Sequence, residues 1–497
     1  MTEKDPNPSI HGACVRELLP APSVVDAFDA LRAQPGCLLL DGAMQIETSV
    51  GKPLGRYSFL MADPFDWVIK EVGAENPLQK IRDSLKAWRC ETIPNLPPMQ
   101  GGWAGLLSYD LKHSFEDIPA AKFDPFKIPA LALGCYDVVI AWDHEQDRAW
   151  IVSQGMPETE CTARTARAND RARQFMGWLQ SPEQQTDSDA SFTPDARDTA
   201  PAAPQYSTDG PAGLTSNFSR EQYIDAVKQS IKHIRAGDVF QINLAQRLLH
   251  EATCNPAELY HRLRSCNPAP FSGYFDFPTS EPPDAATAQI VSASPERFIS
   301  IRDGIVETRP IKGTRRRTGT PKVDIESRRK LLASEKERAE NTMIVDLMRN
   351  DLSRVCDDTS IQVTQYCALE EYQNVLHLVS AIEGKLKTDC DAIDVIESVF
   401  PGGSITGAPK VRAMEIIAEL EPTARGAYCG SLGYLGFDGT IDLSILIRSI
   451  TVKDGWWQIP VGGGIVVQSN PDAEYEETWT KAAGMLAAID AGRSISK

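Results

Sequence analysis

The sequence has little positive charge and no long apolar run. It carries 51 Lys and Arg residues against 68 Asp and Glu residues, a formal net charge of −17. Broad nucleic-acid binding needs a basic field, so this balance argues against it, although a small anion can still bind in a locally positive pocket. No apolar stretch approaches the roughly 18 residues of a membrane span, and the polar start MTEKDPNPSI lacks the apolar core of a signal peptide. We therefore expect a cytoplasmic protein without nucleic-acid or membrane partners.

The eleven cysteines include no C-x-x-C pair. In a long chain without a secretion signal, scattered cysteines indicate reduced thiols and not a disulfide framework or a zinc site. We expect all of them to be buried as small apolar side chains.

Composition divides the chain into three regions. Residues 12–180 mix short β-like runs with polar turns, residues 181–216 are rich in Pro, Ser, Asp and Ala, and residues 217–495 alternate helical and strand patterns. The middle region has too few large apolar residues to build a core, so we predict a flexible linker or loop there. The alternation in the last region predicts an α/β or α+β fold. Side-chain periodicity predicts strands at 37–43, 55–62, 136–142, 239–249, 375–382, 444–452 and 465–468, and helices at 158–180, 220–237, 327–351, 410–420 and 473–489.

Two acidic doublets are the most informative local pattern. Glu337 and Glu340 lie three residues apart, as do Glu474 and Glu477, in segments predicted to be helical. Each doublet therefore occupies one helix face. A solvated charged face is the simpler interpretation of a single pair, but two pairs together could cradle Mg²⁺, which takes one or two carboxylates directly and keeps several waters. Lys481 lies four residues beyond Glu477 on the same face and is expected to pair with it.

Glycine-rich turns and isolated cations suggest an anion site. The segments 400–410 and 461–464 let backbone N–H groups approach an anion, but the first lacks the Gly-Lys-Ser/Thr end of a P-loop, so ATP binding is not predicted. Lys312 is compatible with a surface cation, an anion clamp or a buried nucleophile, and the residues alone favour the clamp. Arg448, in a predicted strand, indicates a carboxylate or anion partner, whereas a lone histidine such as His377 is usually a satisfied core residue. These patterns predict a Mg²⁺ site and a small polycarboxylate or phosphate ligand.

Five motifs occur in order along the chain: SPER at 294–297, RPIKGT at 309–314, AENTMIVDL at 339–347, GSITGAPK at 403–410 and EYEETWTK at 474–481. Together they resemble the motifs of the chorismate-binding enzymes. This family includes anthranilate synthase, aminodeoxychorismate synthase, isochorismate synthase and salicylate synthase. The resemblance covers nearly all of 217–495, and GRYSFLMADP at 55–64 resembles the amino-terminal part of the two ammonia-using members.

The resemblance implies both a fold and a site. The implied fold is an α/β (α+β) sandwich of two antiparallel β-sheets around the active site, with helices outside and N-terminal strands interleaved with the rest. The implied metal is Mg²⁺, bound to the ring carboxylate of chorismate. By position, Glu340 and Glu477 would hold Mg²⁺ with Glu337 and Glu474 beside them; Gly313, Thr314, Gly463 and Gly464 would receive carboxylates; Arg448 and Tyr428 would hold the enolpyruvyl side; His377 and Ser404 would line the ring; and Lys481 and Gln241 would complete the substrate-binding set.

Two positions distinguish the members of the family. The members that add water use a lysine where this chain has Gln241, and an amide cannot act as that base, so the resemblance implies ammonia as the nucleophile. Anthranilate synthases usually read Pro-Ile-Ala-Gly-Thr where this chain has Lys312, which resembles aminodeoxychorismate synthase. Neutral Lys312 would attack C2 of chorismate with Glu296 as general acid, and ammonia would then enter at C4. The implied product is 4-amino-4-deoxychorismate, on the route to 4-aminobenzoate and folate.

Two alternatives stay open. One is component I of anthranilate synthase, with Lys312 an incidental substitution, although Asp41 stands where those enzymes often carry the Leu-Leu-Glu-Ser of their tryptophan pocket. The other is a chorismate-binding subunit without catalysis, which the presence of the glutamates and of Lys312 disfavours. The chain has no Gly-x-Cys-x-Gly glutaminase elbow, so the resemblance implies a separate glutamine amidotransferase subunit as the ammonia source.

Overall fold

Strands form the centre of the molecule. The computed structural model describes residues 12–48, 51, 53–180, 203–281, 286–372 and 375–490, without the side chains of Thr314, Arg316 and Lys336. In chain order the strands are β1 (Cys14–Glu17), β2 (Leu38–Asp41), β3 (Tyr57–Met61), β4 (Asp66–Lys70), β5 (Gly102–Leu107), β6 (Leu131–Tyr136), β7 (Val138–Asp143), β8 (Arg148–Ser153), β9 (Tyr206–Ser207), β10 (Thr215–Ser216), β11 (Gln241–Glu251), β12 (Phe271–Pro278), β13 (Thr287–Ser294), β14 (Arg297–Arg302), β15 (Ile305–Thr308), β16 (Ile311–Arg316), β17 (Gln362–Glu371), β18 (Val375–Lys385), β19 (Gly407–Ala408), β20 (Ser431–Gly436), β21 (Ile441–Ile445), β22 (Ser449–Lys453) and β23 (Trp456–Ile465).

The strands form two antiparallel sheets. The larger sheet has the order β1-β8-β7-β3-β2-β12-β13-β22-β23-β11-β10-β9, with β19 paired to β11. The smaller sheet has the order β16-β18-β15-β14-β21-β20-β5-β6-β4, with β17 paired to β18. Strands from 12–180 lie in both sheets beside strands from the C-terminal region; β2 pairs with β12, and β5 pairs with β20. The predicted sandwich with interleaved N-terminal strands is therefore confirmed.

Helices cover the outer faces of both sheets. In the larger sheet, apolar strand residues pack with α1, α3, α5 and α10, and in the smaller sheet they pack with α2, α7 and α8. The inner faces meet in a third apolar cluster, where the rings of Phe59 and Tyr434 lie 5.7 Å apart. Within the described residues, no helix combines the length and apolar character that a membrane crossing needs. The helices are α1 (Val24–Leu31), α2 (Gln79–Ala87), α3 (Cys161–Gln180), α4 (Arg220–Ala236), α5 (Pro256–Cys266), α6 (Pro321–Leu332), α7 (Glu335–Ser353), α8 (Ala392–Val399), α9 (Lys410–Leu420) and α10 (Pro471–Asp490).

Four predicted elements differ from the structure. The predicted helix at 327–351 is two helices, α6 and α7, because Ser334 caps the second one by accepting a hydrogen bond from the backbone of Glu337. The predicted strand at 444–452 is two strands, β21 and β22, which belong to different sheets. The glycines of 461–464 lie inside β23, not in a turn. The predicted strand at 465–468 is wrong, because β23 ends at Ile465 and a turn follows.

The middle region and the cysteines also depart from expectation. Residues 203–216, inside the predicted linker, contain the short strands β9 and β10, and residues 181–202 lie outside the described residues. All eleven cysteines are free, as expected for thiols. The expectation that all are buried is wrong, since two are exposed and two are half-buried: Cys161, Cys266, Cys90 and Cys390.

One buried carboxylate joins the N-terminal strands to α5. Asp41, at the end of β2, is 2% exposed. Its carboxylate accepts hydrogen bonds from Ser58 Oγ at 3.1 Å, from Tyr260 Oη at 2.6 Å and from Arg264 Nε at 2.6 Å. Charge-assisted hydrogen bonds of this kind are among the stronger ones in proteins, so Asp41 fixes the position of β2 against a helix more than 200 residues later in the chain.

We predict that Asp41→Ala destabilises the fold, because Tyr260 and Arg264 lose their shared acceptor. The free energy of unfolding should fall by about 3 kcal/mol, as for other broken buried pairs. Urea denaturation followed by circular dichroism measures this. Asp29→Ala is the matched control, because Asp29 also binds a residue of α5, His261 at 2.9 Å, but its side chain is 44% exposed. A loss no larger than that of the control would contradict the role of Asp41.

Candidate active site

The predicted site residues converge at one end of the sandwich. There β11 and β23 of the larger sheet approach β16 and β18 of the smaller sheet. The segment 403–408 runs between them, and its last two residues pair with the start of β11 as β19. The first two turns of α7 and of α10 carry the two acidic doublets to this end.

A β-bulge directs Lys312 into the site. On β18, Leu378 is the register partner of Lys312 and His377 is that of Thr314, which leaves Gly313 as the extra residue. Gly313 has a φ of 75°, a conformation that glycine adopts without strain. The Lys312 amine donates to the backbone carbonyl of Ser404 at 3.2 Å.

Ser404 also contacts the predicted general acid. Its hydroxyl donates to Glu296 Oε1 at 2.7 Å, and Glu296 is 4% exposed. Burial raises the pKa of Glu296 to about 7, against the lowering effects of the Ser404 hydrogen bond and the Lys312 charge. Burial also lowers the pKa of Lys312, against the nearby charges of Glu340 and Glu296. Ser404 thus holds an acid that keeps a proton near neutral pH and an amine that releases one more readily than usual.

The glycines of β23 keep space open beside these groups. A Cβ on Gly464 would lie 2.9 Å from Gln241 Nε2 and 3.5 Å from Lys312 Nζ. A Cβ on Gly463 would lie 3.4 Å from Lys481 Nζ and within 3.7 Å of carboxylate oxygens on α10. Gln241 is fully buried, and neither its amide nitrogen nor its amide oxygen has a hydrogen-bond partner. Because buried polar groups are normally paired, the amide is suited to a polar ligand or water in this space.

The four predicted metal ligands lie on two helices at the edge of the same space. Lys481 pairs with Glu477 at 2.8 Å, as their spacing predicts, and donates to the carbonyl of Gly462 at 2.9 Å. Glu474 is buried, and an oxygen of Glu337 would lie 3.0 Å from a Cβ on Gly313. Across the described ranges, no three Asp, Glu, His or Cys side chains already form a group that could hold a metal ion.

The residues expected on the enolpyruvyl side come from two adjoining loops. Arg448 lies between β21 and β22 with a φ of 52°, so the expectation that it lies inside a strand is wrong. Its loop and that of Tyr428 are joined by backbone hydrogen bonds from Cys429 to Leu446 and from Leu446 to Gly430, each 2.8 Å long. The Arg448 guanidinium is close enough for its charge to lower the pKa of His377.

His377 occupies the predicted position in β18 and is 1% exposed. Burial, then the Arg448 charge, lowers its pKa to about 3, so the imidazole is neutral at physiological pH. The Tyr372 ring packs edge-on against it, with 4.7 Å between centroids. The structure therefore brings Arg448, His377, Glu296 and Lys312 to the same end of the sandwich. The Thr314 side chain lies outside the described residues.

Sequence reasoning missed a buried ion pair behind this group. Arg425 donates to Glu421 and to the backbone carbonyls of Ile405 and Asn243. The four-residue spacing of the pair is a helical signal, yet both residues lie beyond the end of α9. Nothing in the local pattern predicted that their partners would be backbone groups of the site.

Comparison with known proteins gives the family. A family profile described as chorismate binding enzyme matches residues 45–487. The chain belongs to the chorismate-binding enzyme family. The Thermus thermophilus protein named anthranilate synthase component 1 is 38% identical over 421 residues, covering 85% of this chain and 84% of its own. The Escherichia coli protein named aminodeoxychorismate synthase component 1 is 36% identical over 452 residues, covering 88% and 91%.

A solved structure supports the same assignment. Anthranilate synthase component I from Streptococcus pneumoniae superposes with a TM-score of 0.68 at 29% identity, covering 87% of this chain and 92% of its own. The chain is thus an enzyme of a family that acts on chorismate, and its relatives divide between two amino products at similar identity.

Gly464→Ala is predicted to block the site of this chorismate-binding enzyme while leaving its fold intact. The added methyl would crowd Gln241 and Lys312, whose side chains could adjust only by moving from their present positions. Misplacement by about 1 Å can cost about 100-fold in rate, so kcat/KM for chorismate should fall by about that factor. Steady-state kinetics and a thermal unfolding curve measure the two effects. Gly177→Ala is the control, because a Cβ there has no neighbour within 4 Å. Equal activity of the two variants would show that the space beside Gly464 is not used.

Proposed function

We propose that this chain converts chorismate and ammonia to 4-amino-4-deoxychorismate, as component I of an aminodeoxychorismate synthase. The observation that carries the proposal is the position of Lys312. Its amine donates a hydrogen bond to the Ser404 carbonyl and lies near Gln241 and Glu296. Burial lowers the pKa of Lys312, which increases the fraction of neutral, nucleophilic amine. An electrostatic clamp alone would not need the amine to be desolvated in this way.

The proposed reaction is two allylic displacements. Lys312 Nζ forms a bond to C2, the ring double bonds shift, and the C4–O bond breaks. Glu296, whose pKa burial raises to about 7, gives its proton to the departing hydroxyl, which leaves as water. Ammonia then bonds to C4, the double bonds shift back, and the C2–N bond breaks to restore Lys312. The excess proton passes to a base such as the Glu296 carboxylate.

Gln241 supports ammonia over water as the nucleophile. The amide occupies the position beside Gly464 and Lys312 where a base would activate water, and it has no basic nitrogen at neutral pH. Ammonia is itself nucleophilic and needs no such base. The relatives are named as component 1 of their enzymes, and we propose that a separate glutamine amidotransferase subunit supplies the ammonia.

The acidic doublets are compatible with the proposed Mg²⁺. Carboxylate oxygens are the ligands that Mg²⁺ prefers, and it keeps several other ligand positions for water or substrate oxygens. Glu340 and Glu477 would hold the ion, with Glu337 and Glu474 beside them. When bound, the ion would neutralise and orient the ring carboxylate of chorismate. Arg448 and Tyr428 would hold the enolpyruvyl side, and backbone groups of Gly313, Thr314 and Gly463 would receive the carboxylates.

Lys312→Arg is the decisive test of the proposed product. The purified chain is incubated with chorismate, ammonium salt and Mg²⁺, and the product is identified by mass and fluorescence. The wild type should form 4-amino-4-deoxychorismate. Lys312→Arg should lose it by about 1000-fold or more, since arginine keeps the charge but is effectively always protonated. Lys322→Arg, an exposed lysine on α6, is the control and should keep full activity. Formation of the C4 product by Lys312→Arg at the wild-type rate would remove the covalent role.

Anthranilate synthase is the competing function, favoured by the 38% identity to the Thermus thermophilus relative. Anthranilate as the main wild-type product would replace the proposal by this alternative. Anthranilate from Lys312→Ala alone would support the proposal, because it would show that the lysine keeps ammonia away from C2.

Metal dependence is tested with Glu340→Ala. We expect this variant to need at least about 100-fold more Mg²⁺ for half-maximal rate, because loss of a metal ligand weakens affinity by at least the factor seen for its supporting residues. Isothermal titration calorimetry with Mg²⁺ measures binding independently of turnover. Glu335→Ala, at the exposed start of the same helix α7, should bind as the wild type does. Unchanged Mg²⁺ binding by Glu340→Ala would exclude Glu340 as a ligand.

A further inference from the structure

A buried ion pair lies behind residues 403–408, here called the Ser404 segment. The Arg425 guanidinium donates to both carboxylate oxygens of Glu421, with 2.9 Å from Nε to Oε2 and 2.6 Å from Nη2 to Oε1. Glu421 also accepts a hydrogen bond from the backbone N–H of Ala245 on β11, at 2.8 Å. Arg425 and Glu421 are 8% and 5% exposed. Because desolvation largely offsets the attraction in such pairs, stability alone is a weak reason for this one.

The remaining hydrogen bonds of Arg425 reach two segments of the active site. Nη1 donates to the carbonyl of Ile405 at 3.0 Å, and Nη2 donates to the carbonyl of Asn243 at 2.7 Å. Ile405 directly follows Ser404, and Asn243 lies two residues from Gln241 on β11. One planar group therefore fixes the loop and the strand relative to each other.

The Ser404 segment transmits this position to the reacting groups. Its carbonyl accepts from Lys312 Nζ at 3.2 Å, and its hydroxyl donates to Glu296 at 2.7 Å. A backbone hydrogen bond of 2.7 Å from Asn243 to Thr406 ties the same segment to β11 on the other side of Ile405. A shift at Ile405 would therefore move both contacts of Ser404 together.

We propose that Arg425, fixed by Glu421, is a positioning residue that sets where Ser404 holds Lys312 and Glu296. It touches neither reacting group, and its donors are satisfied by Glu421 and the two carbonyls. Arginine suits this role because its rigid fork donates in several directions at once, whereas a lysine ammonium is a point charge on a flexible stem. The inference rests on the roles proposed above for Lys312 and Glu296.

Arg425→Lys is the direct test. The lysine keeps the charge next to Glu421 but cannot also reach Ile405 and Asn243 in the present geometry. We expect kcat to fall by about 100-fold, the size of effect that a displacement of about 1 Å produces, with little change in KM for chorismate. The rate is measured as chorismate consumption with ammonium salt and Mg²⁺. Anthranilate as the product would overturn the proposed function and with it the role of Lys312, whereas the pH profile tests separately whether Arg425 positions Ser404 against Glu296.

The pH profile separates positioning from a merely structural role. The Ser404 hydroxyl stabilises charged Glu296, so losing that bond raises the pKa of the acid, and the alkaline limb of kcat moves to higher pH. Lys312 and Lys481 also act on Glu296 through their charges, and Tyr372 and Cys429 are further titratable groups near it. Arg425→Lys should shift this limb in the same direction as Ser404→Ala. In the Ser404→Ala background it should add no further shift, because both changes remove the same contact.

Two further variants complete the test. The double variant Glu421→Met/Arg425→Met replaces the ion pair with apolar groups, a kind of change that often preserves the fold, and it should show the same loss of kcat and the same limb shift. Arg171→Lys is the control. Arg171 is a buried arginine of α3 that binds Asp137 and Asp63, and this change should leave kcat and the pH limb unchanged. The inference would be overturned if Arg425→Lys lost kcat without a shift of the alkaline limb. It would also be overturned if Arg425→Lys shifted the limb by the same amount in the Ser404→Ala background.

Discussion

The burial of one carboxyl and the partial burial of the amine beside it form the constraint on which this site depends. In water, Lys312 would stay protonated and Glu296 would stay ionised, and neither group could then serve the proposed chemistry. Burial shifts both pKa values toward neutrality, and the remaining attraction between the groups limits those shifts. Ser404 holds the pair through its carbonyl and its hydroxyl, so one residue bonds to both groups.

The two sheets supply this environment from distant parts of the chain. Lys312 comes from a bulge in the smaller sheet, and Gly464, which leaves space beside it, comes from β23 of the larger one. The connection between them is the segment of Ser404, which is anchored to β11 by β19 and by the Arg425 hydrogen bonds. Local packing at this end of the sandwich thus decides how far the amine, the acid and the substrate space lie from one another.

The sequence predicted the sandwich and the neighbourhood of the site, but not the details that aim its side chains. Helical spacing placed Glu340 and Glu477 on helices, as the structure has them. The motifs singled out Lys312, but no pattern predicted the strand β16 on which it lies. Periodicity failed at Arg448, because the chain changes sheets there and an apolar pattern continues through the change. It failed at 461–464 because glycine marks turns far more often than it marks a strand that must stay bare.

The contacts of Arg425 show a different limit of sequence reasoning. Two of its partners are the backbone carbonyls of Asn243 and Ile405. Every residue has such a carbonyl, so the residue types at these positions could not predict the contact. The unpartnered amide of Gln241 is likewise visible only once its burial is known. Both features arise from tertiary packing.

The interleaving of strands has a consequence for how this chain can be divided. Composition suggests a boundary near 181–216, but β12 borders β2 and β20 borders β5 across that boundary. A fragment cut there would expose long edges in the middle of both sheets, where unpaired backbone groups recruit other chains. The two halves are therefore complementary pieces of one folding unit. Expressed separately, they would be expected to aggregate, and expressed together, to reassemble along those same edges.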